Sequence, residues 1–229
     1  MERFLSGVEL FRRLSPAERQ RLAGVCREKR YAKGETIFRA GDPAEAVYVV
    51  KAGRIHLMRF LEGGQASTTC VMTAGEPFCC LPALDRRPYP VDAIAAVDSI
   101  VVRVPTSAFH ALLQQNPALL QESLCLFCDR LRQVEHDSCM VYDPVERRLA
   151  RVLLTLSKKF GPTVPLTKHE LAELANTTVE TAIRILSRLK MRGVIRSSRG
   201  STTITKPDRL EQLAKPSSPP SYDGRHRRR

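Results

Sequence analysis

The spacing of apolar residues along this chain changes twice. Near the start, residues 8–11 and 16–26 carry short helical patterns, and Ser15 followed by Pro16 and Glu18 makes a helix start. From residue 30 to residue 104 the pattern becomes that of β-structure, with apolar or β-rich runs at 46–50, 55–58, 67–71 and 100–104. Gly34, Gly41, Gly53, Gly63, Gly64 and Gly75 punctuate these runs, which predicts a small sandwich or barrel. Helical spacing returns at Thr106. Leu120, Leu124, Phe127, Leu131, Val134 and Val141 then fall close to a heptad seam. That seam predicts a long helix paired with its copy in a second chain, or else an amphipathic helix packed on its own sandwich. Asp143 and Pro144 mark a hinge, and residues 145–159 read as a basic amphipathic helix entering the C-terminal segment.

The most specific pattern lies at residues 167–190. Thr167 and Glu170 form a capping box, in which each side chain satisfies an orphaned backbone N–H at a helix start. Leu171, Leu174 and Ala175 give that helix an apolar stripe, the polar residues Asn176, Thr177 and Thr178 interrupt it, and Thr178 caps a second helix. On the second helix Val179, Ala182, Leu186 and Leu189 recur at helical spacing and are predicted to face the core. Glu180, Thr181, Arg184 and Arg188 then share the opposite face, with Ile183 at its edge.

Two helices and a tight turn match the helix-turn-helix, whose second helix enters the DNA major groove. An Arg guanidinium bonds both guanine acceptors and a carboxylate accepts from the cytosine amino group, so Arg184 and Glu180 are the candidate base readers. An apolar Ile183 suits a thymine methyl. The competing account is an ordinary i,i+4 ion pair between Glu180 and Arg184, worth a few tenths of a kcal/mol. The segment after this helix favours DNA. Residues 193–205 read as a helix stop and two β-rich runs around a turn at Arg199-Gly200, a wing on which Arg196, Ser197, Ser198 and Arg199 would contact phosphates.

Charge supports this reading. The net charge is +13, and residues 143–229 hold 19 Lys/Arg against 8 Asp/Glu, whereas residues 1–142 hold 18 against 16. A basic excess confined to one half is the electrostatic footprint of double-stranded DNA binding. At 229 residues and 43% hydrophobic, the chain suits two domains. No run approaches the length of a membrane span, and the charged N-terminus does not resemble a signal peptide, so a cytoplasmic protein is expected. There is no Gly-rich phosphate loop, nucleophile elbow or zinc-protease helix, which argues against an enzyme. A rival class is a small-molecule-binding or thiol-switch module whose winged helix contacts protein. Salt-sensitive retention on DNA separates the two.

The order of parts, with GETIFRAG at 34–41, YVVKAGRI at 48–55 and TVETAIR at 178–184, resembles the Crp/Fnr family of bacterial transcription regulators over nearly the whole chain. The resemblance implies an α+β fold. It would comprise a β-roll sensor of the cyclic-nucleotide-binding kind (1–118), a dimerisation helix (119–142), a winged helix-turn-helix (143–212) and a disordered basic tail (213–229). It further implies a homodimer that binds a two-fold symmetric operator, switches through the dimer helix and contacts RNA polymerase. Glu180 and Arg184 match the family's base-reading positions, while Ile183 replaces a small polar residue of the Fnr-type pattern.

The stretch GEPFCCLPALDRRPYPVD at 75–92 departs from the family's cyclic-AMP binders. Cys79-Cys80 stands where their Gly-Glu pair is expected, and Pro90-Val91 where their Arg pair is expected, leaving Arg86 or Arg87 as substitute cations. The N-terminal cysteine cluster of Fnr proper is also missing. Seven cysteines in a reducing compartment argue against a disulfide framework. Cys125 and Cys128 sit at i and i+3 on the dimer helix. If they converge with Cys79 and Cys80, the set would suit zinc or an iron–sulfur cluster. Alternatively, Phe78-Cys79 resembles the segment bearing the thiolate haem ligand in the family's carbon-monoxide sensor, although Leu81 stands at its histidine. A metal-free thiol–disulfide switch and plain burial as small hydrophobes are the other readings. Burial is expected for Cys26, Cys70 and Cys139, and packing for His56.

Overall fold

The computed structural model describes residues 1–60, 66–139 and 143–215. The chain forms two compact units, Met1–His136 and Asp137–Arg229.

The first unit opens with α1 (Glu2–Ser6), a 3-10 turn (Glu9–Phe11) and α2 (Pro16–Val25). The capping box at α2 is formed: the Ser15 N–H donates to Glu18 Oε2 at 2.8 Å and the Glu18 N–H to Ser15 Oγ at 3.3 Å. Eight strands follow, β1 (Arg27–Tyr31), β2 (Thr36–Phe38), β3 (Ala46–Ala52), β4 (Arg54–Phe60), β5 (Ala66–Thr73), β6 (Pro77–Phe78), β7 (Asp92–Ala95) and β8 (Ser99–Pro105), with α3 (Cys80–Asp85) between β6 and β7. They build two four-stranded antiparallel sheets, ordered β1-β8-β3-β6 and β2-β7-β4-β5.

Strand alternation divides the interior in two. On β3, Ala46, Tyr48 and Val50 face the space between the sheets, where they meet Phe38, Ile55, Met72 and Phe78. Val47 and Val49 face the other way, onto Leu22, Phe109, Leu112 and Leu119. Burial on both faces is why β3 reads as an unbroken apolar run. The turn from β3 to β4 requires Gly53. Its φ is +91°, and a Cβ there would stand 2.2 Å from Ser99 Oγ and 2.7 Å from Ser99 Cα. The close approach lets the Arg54 N–H donate to Ser99 Oγ at 3.1 Å.

After β8 come α4 (Thr106–Gln115) and the 23-residue α5 (Pro117–Cys139). Leu119, Leu126 and Phe127 turn toward the helical core of their own unit. Leu120, Leu124 and Leu131 stay 43, 55 and 59% exposed. Of the residues in the heptad pattern, Phe127 is half-buried against its own unit, whereas Leu120, Leu124 and Leu131 form an exposed stripe. The Val134 side chain and Val141 lie outside the described residues.

The second unit contains α6 (Val145–Phe160), β9 (Thr163–Val164), α7 (Lys168–Leu174), α8 (Val179–Met191), β10 (Ile195–Ser198), β11 (Ser201–Ile204) and α9 (Pro207–Ala214). Leu149, Leu153 and Leu156 of α6 make its core with Leu171, Leu186, Leu189 and Leu210. At its start the Asp143 carboxylate joins Arg147 and Arg151, and Arg151 Nε donates to the Ala214 carbonyl at 2.7 Å. Burial raises the Asp143 pKa, but hydrogen bonds and charge from the two guanidiniums hold it below the ordinary carboxylate value. Leu213 and Ala214, expected in the tail, belong to α9. Residues 216–229 lie outside the described part. Among the described residues no helix is long and apolar enough to cross a membrane.

Candidate nucleic-acid interface

Local chemistry fixes both helices of the reading unit. The Glu170 N–H donates to Thr167 Oγ1 at 3.2 Å to begin α7, and the Thr181 N–H donates to Thr178 Oγ1 at 3.2 Å to begin α8. Between them Asn176 takes a left-handed φ of +48°, which a short polar side chain tolerates. Arg148 of α6 secures this turn by donating to the Asn176 carbonyl at 2.9 Å, and Arg192 at the far end of α8 pairs with Glu146 at 3.3 Å. Arg148 is a positioning residue that sequence spacing does not show, because its partner lies 28 positions away.

On α8, Ala182, Ile185, Leu186 and Leu189 are buried, while Glu180, Ile183, Arg184, Ser187 and Arg188 are exposed. Ile185 joins the predicted core positions, and Val179 is half-buried. The i,i+4 ion pair does not form. Among the described residues the side chains of Glu180, Arg184 and Arg188 have neither a hydrogen bond nor a salt bridge, so their full bonding capacity is directed outward. Thr181 is partly committed, since its hydroxyl accepts from Thr178 Oγ1 at 2.9 Å.

The wing forms as expected. β10 and β11 pair antiparallel from Ile195↔Ile204 to Ser198↔Ser201, and Gly200 at φ +75° makes the turn. Ser197 is half-buried, and Ser198 and Arg199 are exposed. Between the wing, the start of α7 and the side of α8 lies a cleft of about 490 Å³. Lys168, Lys190 and Arg199 line it with Ser187, Ser197 and Ser201. With Thr167 and Ser198 the cleft has three cations and five hydroxyls, a set that suits phosphate oxygens. Sequence spacing does not single out Lys168 and Lys190. The available signal was Lys190 at i+3 from Ser187, on the wing side of α8.

The four candidate thiols do not converge. Cys79 takes a left-handed φ of +58°, so it and Cys80 enter different cores: Cys79 joins the space between the sheets and Cys80 the helical side. Cys125 and Cys128 are exposed on α5. Among the described residues no group of three or more His, Cys, Asp or Glu side chains is placed to hold a metal. A zinc or iron–sulfur site built from all four is thereby corrected, and a haem on Cys79 would have to displace the packed interior around it. Burial raises the Cys26 thiol to about 11, consistent with an inert packing role. Cys70 is half-buried and His56 is buried, whereas the side chain of Cys139 lies outside the described part.

Aromatic rings fill the space between the sheets. Phe38 stacks on Tyr89 with centroids 3.9 Å apart, on Tyr48 at 5.2 Å and on Phe78 at 6.2 Å. The Tyr89 hydroxyl donates to the Ala46 carbonyl at 2.8 Å and accepts from the Ala46 N–H at 3.2 Å. Burial raises the phenol pKa values of Tyr48 and Tyr89, keeping both neutral.

Comparison with known proteins places both units. Residues 28–116 match the family model of the cyclic nucleotide-binding domain, and residues 147–213 that of the Crp-like helix-turn-helix domain. The cyclic AMP receptor protein of Thermus thermophilus is 30% identical over 212 residues, spanning 92% of this chain and 98% of that protein. The chain belongs to the Crp/Fnr family. Another Crp/Fnr relative, the fumarate and nitrate reduction regulatory protein of Escherichia coli, is 27% identical over 198 residues, covering 82% of this chain and 78% of that protein. FixK2 from Bradyrhizobium japonicum superposes with a TM-score of 0.77 over 85% of this chain and 100% of that one. At 22% identity this likeness speaks for the fold alone. The Crp/Fnr relatives are transcription regulators, not enzymes, and this chain carries their DNA-binding helix-turn-helix.

The first family model implies a cyclic nucleotide within the roll, and the residues do not fit one. A cyclic phosphate needs a cation and hydrogen-bond donors. The stretch that would supply them offers the buried Cys79 and Cys80, the ring of Tyr89 and the buried Val91. Arg86 and Arg87 are exposed.

Proposed function

We propose that this protein is a homodimeric transcription regulator that reads a two-fold symmetric DNA operator with α8, holds the flanking phosphates with its wing, and takes no cyclic nucleotide as effector. The observation that carries the reading is the outward face of α8, where Glu180, Arg184 and Arg188 stand exposed and, among the described residues, unpaired, beside a cleft lined by Lys168, Lys190 and Arg199. Crp-like regulators bind DNA as dimers. The exposed leucine stripe on α5 supports that assembly here, and in the family's manner the dimer would meet RNA polymerase in the cytoplasm. A thiol signal, where one acts, would enter through the exposed Cys125 and Cys128 and not through the buried Cys79-Cys80 pair. The protein-contact rival would leave the cation-lined cleft without a purpose.

The test is selection of binding sites from random duplex DNA by the full chain. The expected product is a two-fold symmetric sequence with half-site centres about 10 base pairs apart, or a multiple of that. Its affinity should fall with salt by roughly 0.9 log units per tenfold for each phosphate contacted. Unselected, salt-insensitive retention would favour the protein-contact rival.

A second outcome concerns the roll. Cyclic AMP at millimolar concentration is expected to leave both the operator affinity and the melting temperature unchanged. A saturable rise in melting temperature would mean that the aromatic interior opens to a ligand, because anything that binds only the folded state stabilises it.

A further inference from the structure

We infer that Ile183 reads the methyl group of a thymine within two base pairs of the pair read by Arg184, so that one position of each half-site is selected by an apolar contact. This rests on the proposal that α8 enters the major groove. The core of α8 takes Ala182, Ile185, Leu186 and Leu189, yet Ile183 remains 40% exposed. It stands on the outward face with Glu180, Arg184 and Ser187, all polar, so it forms no apolar patch for a protein partner to cover.

Along α8, Ile183 follows Glu180 by three residues, and side chains so placed lie roughly 5–6 Å apart on one face; Arg184 is the next residue in the chain and four beyond Glu180, so Glu180 neighbours both. Base pairs repeat every 3.4 Å or so along the duplex, so readers at this spacing address the same or nearby pairs. In the major groove every base edge carries polar donors and acceptors, and thymine alone adds a C5 methyl. A β-branched aliphatic side chain can neither donate nor accept. Set against cytosine, guanine or adenine edges it would strip water from polar atoms without replacing the bond. Against thymine it buries one methyl group and its own.

The experiment uses the symmetric duplex obtained by selection from random DNA and replaces each of its thymines with deoxyuridine, which deletes only the methyl. At one thymine per half-site the substitution is expected to weaken binding about fourfold, the affinity equivalent of one buried methylene at about 0.8 kcal/mol, and about fifteenfold when both half-sites are changed. In the Ile183→Ala protein the same substitution should cost nothing, since the group that senses the methyl is gone. Ile183→Ala should also keep its affinity for random duplex, which shows that the head is folded. Binding that is indifferent to every thymine methyl, or a uracil penalty that persists undiminished in Ile183→Ala, overturns the inference while leaving the operator reading intact. Failure to select any symmetric duplex overturns the operator reading itself, and this inference with it.

Discussion

Arg184→Ala is expected to weaken operator binding by about 1–3 kcal/mol per half-site, roughly 5- to 150-fold, and to relax preference at the single base pair it addresses. The size reflects the state of the guanidinium in the free protein: it has no partner among the described residues, so binding a base breaks no intramolecular pair that would offset the bonds made. Stability should barely move, because the side chain is exposed and outside the core. Lys190→Ala supplies the contrast. Lining the wing cleft, it should weaken all sequences alike and lower the salt slope by about 1. Competition titrations of both variants on operator and random duplex check the pair. Equal loss on both DNAs for Arg184→Ala would demote it from base reader to phosphate contact.

Phe78→Ala is expected to destabilise the first unit by about 3–5 kcal/mol, the range for deleting a buried phenyl ring. Phe78 is fully buried, pairs with Tyr48 across β6 and β3, and stacks on Tyr48 at 5.4 Å. Its loss leaves a cavity between rings that the surrounding strands hold apart. A domain has only about 5–15 kcal/mol to lose, so this variant should approach unfolding at elevated temperature. Denaturant titration followed by tyrosine fluorescence reads it as a lower midpoint with an unchanged slope. A loss below about 1 kcal/mol would show that the roll is not packed around this ring.

The parts most readable from sequence were those fixed by neighbours in the chain. Thr167 with Glu170, Thr178, and the turn at Arg199-Gly200 announce themselves because each cap or turn is completed within a few residues. Features that depended on tertiary neighbours were hidden. Helical spacing grouped Phe127 with Leu120, Leu124 and Leu131 but could not say which of them meet their own unit: Phe127 packs against it, while the three leucines stay exposed. Adjacent Cys79 and Cys80 suggested a joint site, but the left-handed turn at Cys79 sends them into different cores. Arg148 gave no sign of its task because Asn176 is remote in sequence. The roll's aromatic interior draws Phe38, Tyr48, Phe78 and Tyr89 from separate segments that only the folded sheets bring together.

One strand also does the work of a party wall. β3 shows Tyr48 to the rings on one side and Val47 and Val49 to the helices on the other, and its neighbour β8 repeats the arrangement with Val101 against Val102 and Val104. Nothing soft separates the two compartments, since protein interiors pack as densely as organic crystals and are correspondingly incompressible. A swelling or shrinkage among the rings thus pushes on the same masonry against which Leu119 of α5 rests. The roll need not hold a ligand for its state of packing to be felt at the foot of that helix.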